Sequence, residues 1–351
     1  MFEKITQPKL IACLKSESQK MKIYIPRGSH RTETQQAEWI RSTLEISDNF
    51  HSSNTPAFND VNIDLDLIKD LKKTSNTLEY ITPMWQEHVD RLMEVIENNP
   101  EKCLRDPLLQ YAFNLSACGI YARQQIPYLE ERYNKSELAR LLKEGSFPGQ
   151  LITDPNYESS ETRINHLTHL TAFSSVNELE LENFKICLEF GGGYGSMAHL
   201  IRQINPSYTH VIIDIPEMIV FQAYTLGRLF GPQTLNFVTP SNSSVQENLI
   251  NFVSINHAQE LGNFIATPNL FIATWSLSEA NAVTNDLIQK QLAFYQAEHI
   301  LFGYRRYKTP NPAQPNSKAI TVPSNYSETF HGPCFYAIEN EQYYQFLRRN
   351  S

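Results

Sequence analysis

Apolar residues recur in two rhythms along this chain, and the change falls near residue 175. Before it the spacing is mostly helical. In LEYITPMWQEHVDRLMEVIENN, residues 78–99, the positions Tyr80, Trp85, His88, Leu92 and Val95 follow one another at three- to five-residue intervals, which predicts an amphipathic helix. PYLEERYNKSELARLLKEG has the same pattern and stops at Gly145, a residue suited to ending a helix. SSETRINHLTHLTAFSSV predicts another helix, opened by Ser159 or Ser160 with Glu161 in its first turn. After Leu181 short β-branched or apolar runs take over: KICLEF, THVIIDI, LNFVTP, LFIATWSL and HILFGYR. Helical segments, GSMAHLIRQI, EMIVFQAYTLGRLFG and NDLIQKQLAFYQAE, lie between them. Strands alternating with helices predict a doubly wound α/β domain with a mostly parallel sheet covered on both faces. The last stretch, KAITVPSNYSETFHGPCFYAIENEQYYQFLRR, predicts two extended runs forming a closing antiparallel hairpin. No internal repeat is visible.

Three regions follow. Residues 1–58 are polar, rich in Ser, Thr, Asn and Gln, and expected to be partly mobile. Residues 59–178 form a helical part, and residues 179–351 an α/β nucleotide-binding-type domain. The composition narrows the partners. With 41% hydrophobic and 19% charged residues, the chain of 351 residues has the balance of an ordinary globular protein. A formal net charge of −8 without a Lys/Arg block argues against nucleic acid. No run approaches the roughly 18 apolar residues of a membrane span. The five cysteines, Cys13, Cys103, Cys118, Cys187 and Cys334, are scattered and never at C-x-x-C spacing, which speaks against a disulfide framework and a zinc site. Without an apolar stretch near the N-terminus that would serve as a signal peptide, a cytoplasmic setting is expected.

The chemistry concentrates where the first strand meets its helix. Glu189-Phe190-Gly191-Gly192-Gly193-Tyr194-Gly195 has the form acidic-x-G-x-G-x-G. In a doubly wound sheet the first strand-to-helix turn comes closest to a ligand, and glycines permit both that approach and the backbone angles it needs. A dinucleotide fingerprint, G-x-G-x-x-G, would want its third glycine at position 196, which is Ser196. Glu189 suits a cofactor bearing an amino-acid ammonium and would repel a pyrophosphate. The second strand ends in Asp214, about 25 residues after Glu189. A carboxylate there accepts ribose hydroxyls; alternatively Asp214 caps the helix that Pro216 begins.

CLEFGGGYGSMAHLI, HVIIDIPEMIVFQAYTLGRLFG and LFIATWSLSEA together resemble a class I S-adenosylmethionine-dependent methyltransferase over about residues 180–305. More narrowly they are similar to the sugar O-methyltransferases of bacterial surface-glycan and secondary-metabolite clusters, which carry an E-x-G-G-G-Y-G turn, a D-x-P second strand and an S-x-x-E fourth-strand end. The resemblance implies S-adenosylmethionine as cofactor. Glu189, Gly191, Gly192, Gly193 and Gly195 would surround its methionine and ribose part. Asp214 and Ile215 would meet the ribose, Asn242 the adenine edge, and Thr274, Trp275 and Ser276 the neighbourhood of the sulfonium.

Methyl transfer is an in-line displacement, so placement supplies most of the acceleration, and an alcohol acceptor gains from a general base. Glu279 is the first candidate base, with a first-turn helix residue capped by Ser278 as the plainer reading. His257 and His166 are rivals, and Trp275 lies along a sugar ring or fills core. His166 and His169 stand three apart on one helix face, but no third ligand motif accompanies them and the segment after the fourth strand offers only Asp286 within reach, so no metal is expected. The expected substrate is a small hydroxylated molecule: a sugar, a nucleotide-sugar or a glycan end. Nothing in the composition opposes a homodimer. Two other readings stand beside this one: an NAD-dependent oxidoreductase, and a non-catalytic binding protein that keeps the fold. Helices from about residues 76–175 are expected to cap the carboxyl edge of the sheet, with ITDPNYESSETRINHLTHL bringing Tyr157, Arg163, His166 or His169 to the acceptor.

Overall fold

The computed structural model describes residues 79–113, 122–144, 152–154, 156–239, 242–263, 265–306, 318–334 and 342–350. The expectations for residues 1–58 and for Gly145 lie outside these segments. The chain forms two compact units, one holding Asp90–Thr168 and the other Phe58–Val89 together with His169–Ser351.

In the first unit the helices are α1 (Pro83–Asn98, whose first turns belong to the second unit), α2 (Pro107–Ala112), α3 (Ala122–Glu130), α4 (Lys135–Leu142) and the first half of α5 (Glu161–Asn177). α1 begins at Pro83 because the Thr82 hydroxyl accepts the Trp85 N–H at 3.4 Å, which leaves Tyr80 ahead of the helix. Val89, Leu92, Val95 and Ile96 make its buried stripe. The sequence PYLEERYNKSELARLL, expected as one helix, is two. The Asn134 carbonyl oxygen of the side chain accepts the Glu137 N–H at 2.9 Å and starts α4 afresh. Ser160, not Ser159, caps α5, accepting the Arg163 N–H at 3.1 Å.

The second unit is built on one eight-stranded sheet. Its strands are β1 (Ile186–Phe190), β2 (Thr209–Asp214), β3 (Leu235–Val238), β4 (Ile250–Ser254), β5 (Leu270–Thr274), β6 (His299–Arg305), β7 (Tyr326–Pro333) and β8 (Gln342–Arg349). They lie in the order β3-β4-β2-β1-β5-β6-β8-β7. Every pairing is parallel except those of β8, which runs against both β6 and β7. The β7–β8 pair is the expected antiparallel hairpin, with β8 inserted beside β6. The further helices are α6 (Ser196–Ile204), α7 (Pro216–Phe230), α8 (Ala258–Leu261), α9 (Ser276–Glu279) and α10 (Ala282–Asp286). Pro216 occupies the first position of α7, and Gly231 at φ +87 ends it. Ala198, Ile219, Ala223 and Leu226 from α6 and α7 pack on Ile212, Ile250 and Phe252 of the sheet. Each large side chain buried this way contributes roughly 1.5–3 kcal/mol.

Two departures from the expected pattern matter. β4 is a strand that the apolar runs did not reveal, and it lies between β2 and β3. The segment expected to be the helix NDLIQKQLAFYQAE is α10, a π turn over Leu287–Gln291, and then a left-handed turn in which Ala293, Phe294, Tyr295 and Gln296 all have φ of 43–55°. No glycine occupies that turn. Its shape is held from outside by the buried Phe294 ring against Phe271 and by the Tyr295 hydroxyl donating to the Ala258 carbonyl at 2.7 Å.

Candidate functional site

The strand order fixes where a ligand has room. From β1 the chain winds outward through β2 to β4 and β3, then returns to the other side of β1 through β5 and β6. The switch point therefore falls between β1 and β5, and the crevice outside their carboxyl ends is where open α/β sheets bind ligands. The glycine turn lies at the end of β1, and Trp275 and Ser276 follow β5.

Three glycines of the turn have positive φ: Gly191 at +74°, Gly193 at +56° and Gly195 at +92°. The protein itself demands some of these residues. A Cβ on Gly191 would stand 2.3 Å from the Ser276 Cβ, one on Gly192 2.9 Å from the Ile212 methyl, and one on Gly195 2.9 Å from Leu226. Gly195 is also the N-cap of α6, so it supplies the close helix approach that a third glycine gives elsewhere. The turn is consequently preformed, and its glycine pattern is explained partly by packing and not wholly by a ligand.

Asp214 fastens this turn to β2 and α7. Its Oδ2 accepts the Gly192 N–H at 3.0 Å and the Gln222 Nε2 at 2.7 Å, and its Oδ1 accepts the Ile215 N–H at 2.8 Å. Gln222 Nε2 also donates to the Gly193 carbonyl at 3.1 Å. Burial pushes the Asp214 carboxyl up to about 7, against the three donors that favour its charge. A carboxylate offers about four lone-pair positions. Three are occupied, so Oδ1 has one left, enough for one hydroxyl of a ribose rather than both.

Glu189 is turned toward β2. It is buried and lies 2.9 Å from the Nε2 of His210, also buried. A ligand ammonium would have to compete with that imidazole.

At the end of β5 the backbone is strained. Trp275 adopts φ 69°, ψ −39°, a region that a bulky residue rarely occupies, and its N–H donates to the Gly303 carbonyl at 2.8 Å. Ser276 Oγ then donates to the Phe190 carbonyl at 2.5 Å, so the ends of β5 and β1 are joined directly. Thr274 is the last residue of β5, half-buried, opposite Gly303. Ser278 does not cap α9 but donates its hydroxyl to the Trp275 carbonyl at 2.6 Å. Glu279 closes that short helix and is half-buried. Asn281 caps α10 and donates to the Glu79 carbonyl at 2.7 Å, while the Thr284 hydroxyl donates to the Tyr80 carbonyl at 2.7 Å, which ties the segment before α1 to this edge.

A second cluster stands beside Trp275. His169, on the half of α5 that packs on the sheet, places Nδ1 2.5 Å from the Tyr344 hydroxyl. Its ring meets Trp275 edge-on at 5.7 Å, and the Arg305 guanidinium is 6.0 Å from the Trp275 ring centre. Phe173, one turn along α5, packs on Phe346 and His299.

Other expected residues sit elsewhere. Asn242 belongs to an amide network at the β3–β4 edge, donating to Asn236 Oδ1 at 3.1 Å and to the Phe237 carbonyl at 3.0 Å. Because β4 intervenes, the strand end beside β2 is Ser254, followed by Asn256, whose side chain donates to the Ser254 hydroxyl at 3.0 Å. His257 is buried in a 3-10 turn with Nδ1 3.3 Å from Glu260. His166, Arg163 and Tyr157 belong to the first unit. Burial, with Arg163 adding to it, pushes the His166 imidazole down to about 3, which makes it a weak base near neutrality. Arg163 is fully buried and donates to the Leu141 carbonyl at 2.8 Å, and the Tyr157 hydroxyl donates to Glu130 at 2.7 Å.

Gln222, His210, Tyr344 and Arg305 were not expected at this edge. Gln222 had a signal: it is a polar residue inside the apolar helix EMIVFQAYTLG, and buried polar residues generally have a partner to hold. Tyr344 had none, because its partner lies 175 residues away. Among the described residues no group of three or more His, Cys, Asp or Glu could hold a metal ion, and no helix is long and apolar enough to cross a membrane.

No family model matches the chain, and no curated protein matches it. Solved structures do. The N-methyltransferase NodS from Bradyrhizobium japonicum WM9 aligns over 54% of this chain and 96% of its own, at 16% identity and TM-score 0.36. Magnesium protoporphyrin IX methyltransferase ChlM from Synechocystis PCC 6803 with bound SAH aligns over 54% and 85%, at 13% identity and TM-score 0.34. The small RNA methyltransferase HEN1 aligns over 53% of this chain but only 25% of its own length, at 13% identity and TM-score 0.35. These are distant likenesses.

Proposed function

We propose that the chain is an S-adenosylmethionine-dependent O-methyltransferase acting on a hydroxyl of a sugar or similar small metabolite. The observation that carries the reading is the preformed glycine turn at the switch point, clamped by Asp214. One acceptor position remains on that carboxylate for a ribose hydroxyl. When bound, S-adenosylmethionine supplies an electrophilic methyl group. The turn residues would orient the nucleoside and the β5 end would stand beside the reacting centre. The setting would be cytoplasmic.

The NAD reading meets a further objection in the turn. The Gly192 N–H is already taken by the Asp214 carboxylate instead of being offered to a phosphate oxygen, and a carboxylate at that point disfavours a pyrophosphate. A thermal-shift panel with S-adenosylmethionine, S-adenosylhomocysteine and NAD tests the choice. Stabilisation by the two sulfur nucleosides supports the proposal, and stabilisation by NAD alone overturns it. Turnover on a panel of nucleotide-sugars and glycans then tests the acceptor class.

A further inference from the structure

We propose that Gln222 is a positioning residue of the nucleoside site: it holds the Asp214 carboxylate so that a single oxygen position faces the ligand, and thereby limits recognition of the ribose to one hydroxyl. The inference rests on the methyltransferase reading and adds a selectivity to the same site. Of the three donors on Asp214, the Gly192 and Ile215 N–H groups are backbone and come with the turn and the start of α7. Gln222 is the one that a different side chain would withhold. Without it Oδ2 would keep an open position beside that of Oδ1, and the carboxylate could accept both hydroxyls of a ribose.

The amide is placed for its nitrogen. Gln222 is fully buried, with Nε2 2.7 Å from Asp214 Oδ2 and 3.1 Å from the Gly193 carbonyl oxygen. A carbonyl only accepts, so the nitrogen end of the amide must face Gly193. The oxygen end gains nothing from this arrangement: among the described residues the buried Oε1 has no hydrogen-bond partner. Such acceptors are rare because they oppose folding, and an apolar side chain of similar volume would leave none. The turn also rests on this amide, since a Cβ on Gly192 would stand 3.1 Å from Nε2. One side chain thus ties the end of β2 and the glycine turn to α7. Gln222 acts through Asp214, and a neighbour that locks a ligand-binding group sets how precisely that group is presented.

Deleting one ribose hydroxyl at a time tests this without a methyl acceptor. The ligands are S-adenosylhomocysteine and its 2′-deoxyribose and 3′-deoxyribose analogues, titrated by calorimetry at pH 8. In the wild type one analogue should bind about tenfold or more weaker than S-adenosylhomocysteine, the loss of one charge-assisted hydrogen bond, and the other within about threefold of it. In Gln222→Met, where Oδ2 is open to the ribose, the dissociation constants of the two analogues should differ by no more than about threefold. A role confined to stability would weaken all three ligands together and leave the wild-type ratio between the analogues. Gln222→Asn, which keeps an amide one methylene short of Asp214, should give the same levelling and serves if the methionine variant fails to fold. Equal weakening of both analogues in the wild type, or of neither, overturns the inference and leaves the cofactor reading in place. A folded variant that keeps the wild-type ratio does the same. Failure of the wild type to bind S-adenosylhomocysteine overturns the cofactor reading and this inference with it.

Discussion

Two strand ends meet at the switch point, and they are built in opposite ways. The end of β1 is made of glycines, so its backbone takes unusual angles at little steric cost and its Gly192 N–H is fixed by Asp214. The end of β5 takes an equally unusual angle at Trp275, with a bulky side chain, and relies on the Gly303 carbonyl, Ser276 and the His169 ring to hold it. The first end stores its conformation in residue type and the second stores it in contacts. A conformation stored in residue type can be read from a sequence; one stored in contacts cannot. The two ends also depend on each other, since Gly191 has no Cβ where the Ser276 Cβ stands.

That mutual dependence gives the largest expected effect. Gly191→Val places a branched side chain at φ +74° against Ser276, and both the clash and the angle oppose it. It should destabilise the protein by about 4 kcal/mol or more. Gly193→Ala adds one methyl at φ +56° and should lose only about 1–2 kcal/mol. Urea unfolding of the two variants checks the order, and equal losses would mean that the two strand ends do not lean on each other.

The Trp275 end predicts a reversed preference. Trp275→Gly and Trp275→Ala both remove the buried ring, at a cost of about 3–5 kcal/mol. Glycine ordinarily weakens a structure relative to alanine, but at φ 69° the glycine variant should be the more stable by about 1 kcal/mol. Denaturant midpoints of the pair decide this, and the usual order would remove strain from the account of β5.

Legibility follows the same division. The glycine turn, Asp214 and the alternation of strands and helices were visible because each is a local pattern. β4 escaped because Asn251 interrupts its apolar run. In the fold that residue is fully buried, and its side chain reaches the His210 and Leu249 carbonyls at 3.3 and 3.1 Å. The break of the expected helix at Asn134 was legible in principle, since Asn followed three residues later by Glu is a cap signature. The left-handed turn at Ala293–Gln296 contains no glycine, and the His169–Tyr344 pair joins distant parts of the chain, so neither left a local trace.

A smaller effect comes from Asp214. Its folded carboxyl is raised to about 7, so the folded state holds a proton that the unfolded state releases near 4. The resulting stabilisation is present below about pH 4 and is lost as pH rises through about 7. Relative to Asp214→Asn, the unliganded wild type should therefore be more stable at pH 5 than at pH 8. Urea unfolding at the two values measures the difference, and a gap independent of pH would mean that the carboxyl is already ionised at pH 5. In the ligand-bound state the ionised carboxylate is the better acceptor, so affinity for S-adenosylhomocysteine should rise over the same range.

Calorimetric titration measures whether the clamped glycine turn holds an S-adenosyl nucleoside. S-adenosylhomocysteine should bind the wild type at micromolar or better affinity, and Asp214→Ala, confirmed to be folded, should weaken it by about 1.5–3 kcal/mol, one charge-assisted hydrogen bond. No heat with either sulfur nucleoside, or a dissociation constant unchanged in Asp214→Ala, would contradict the claim.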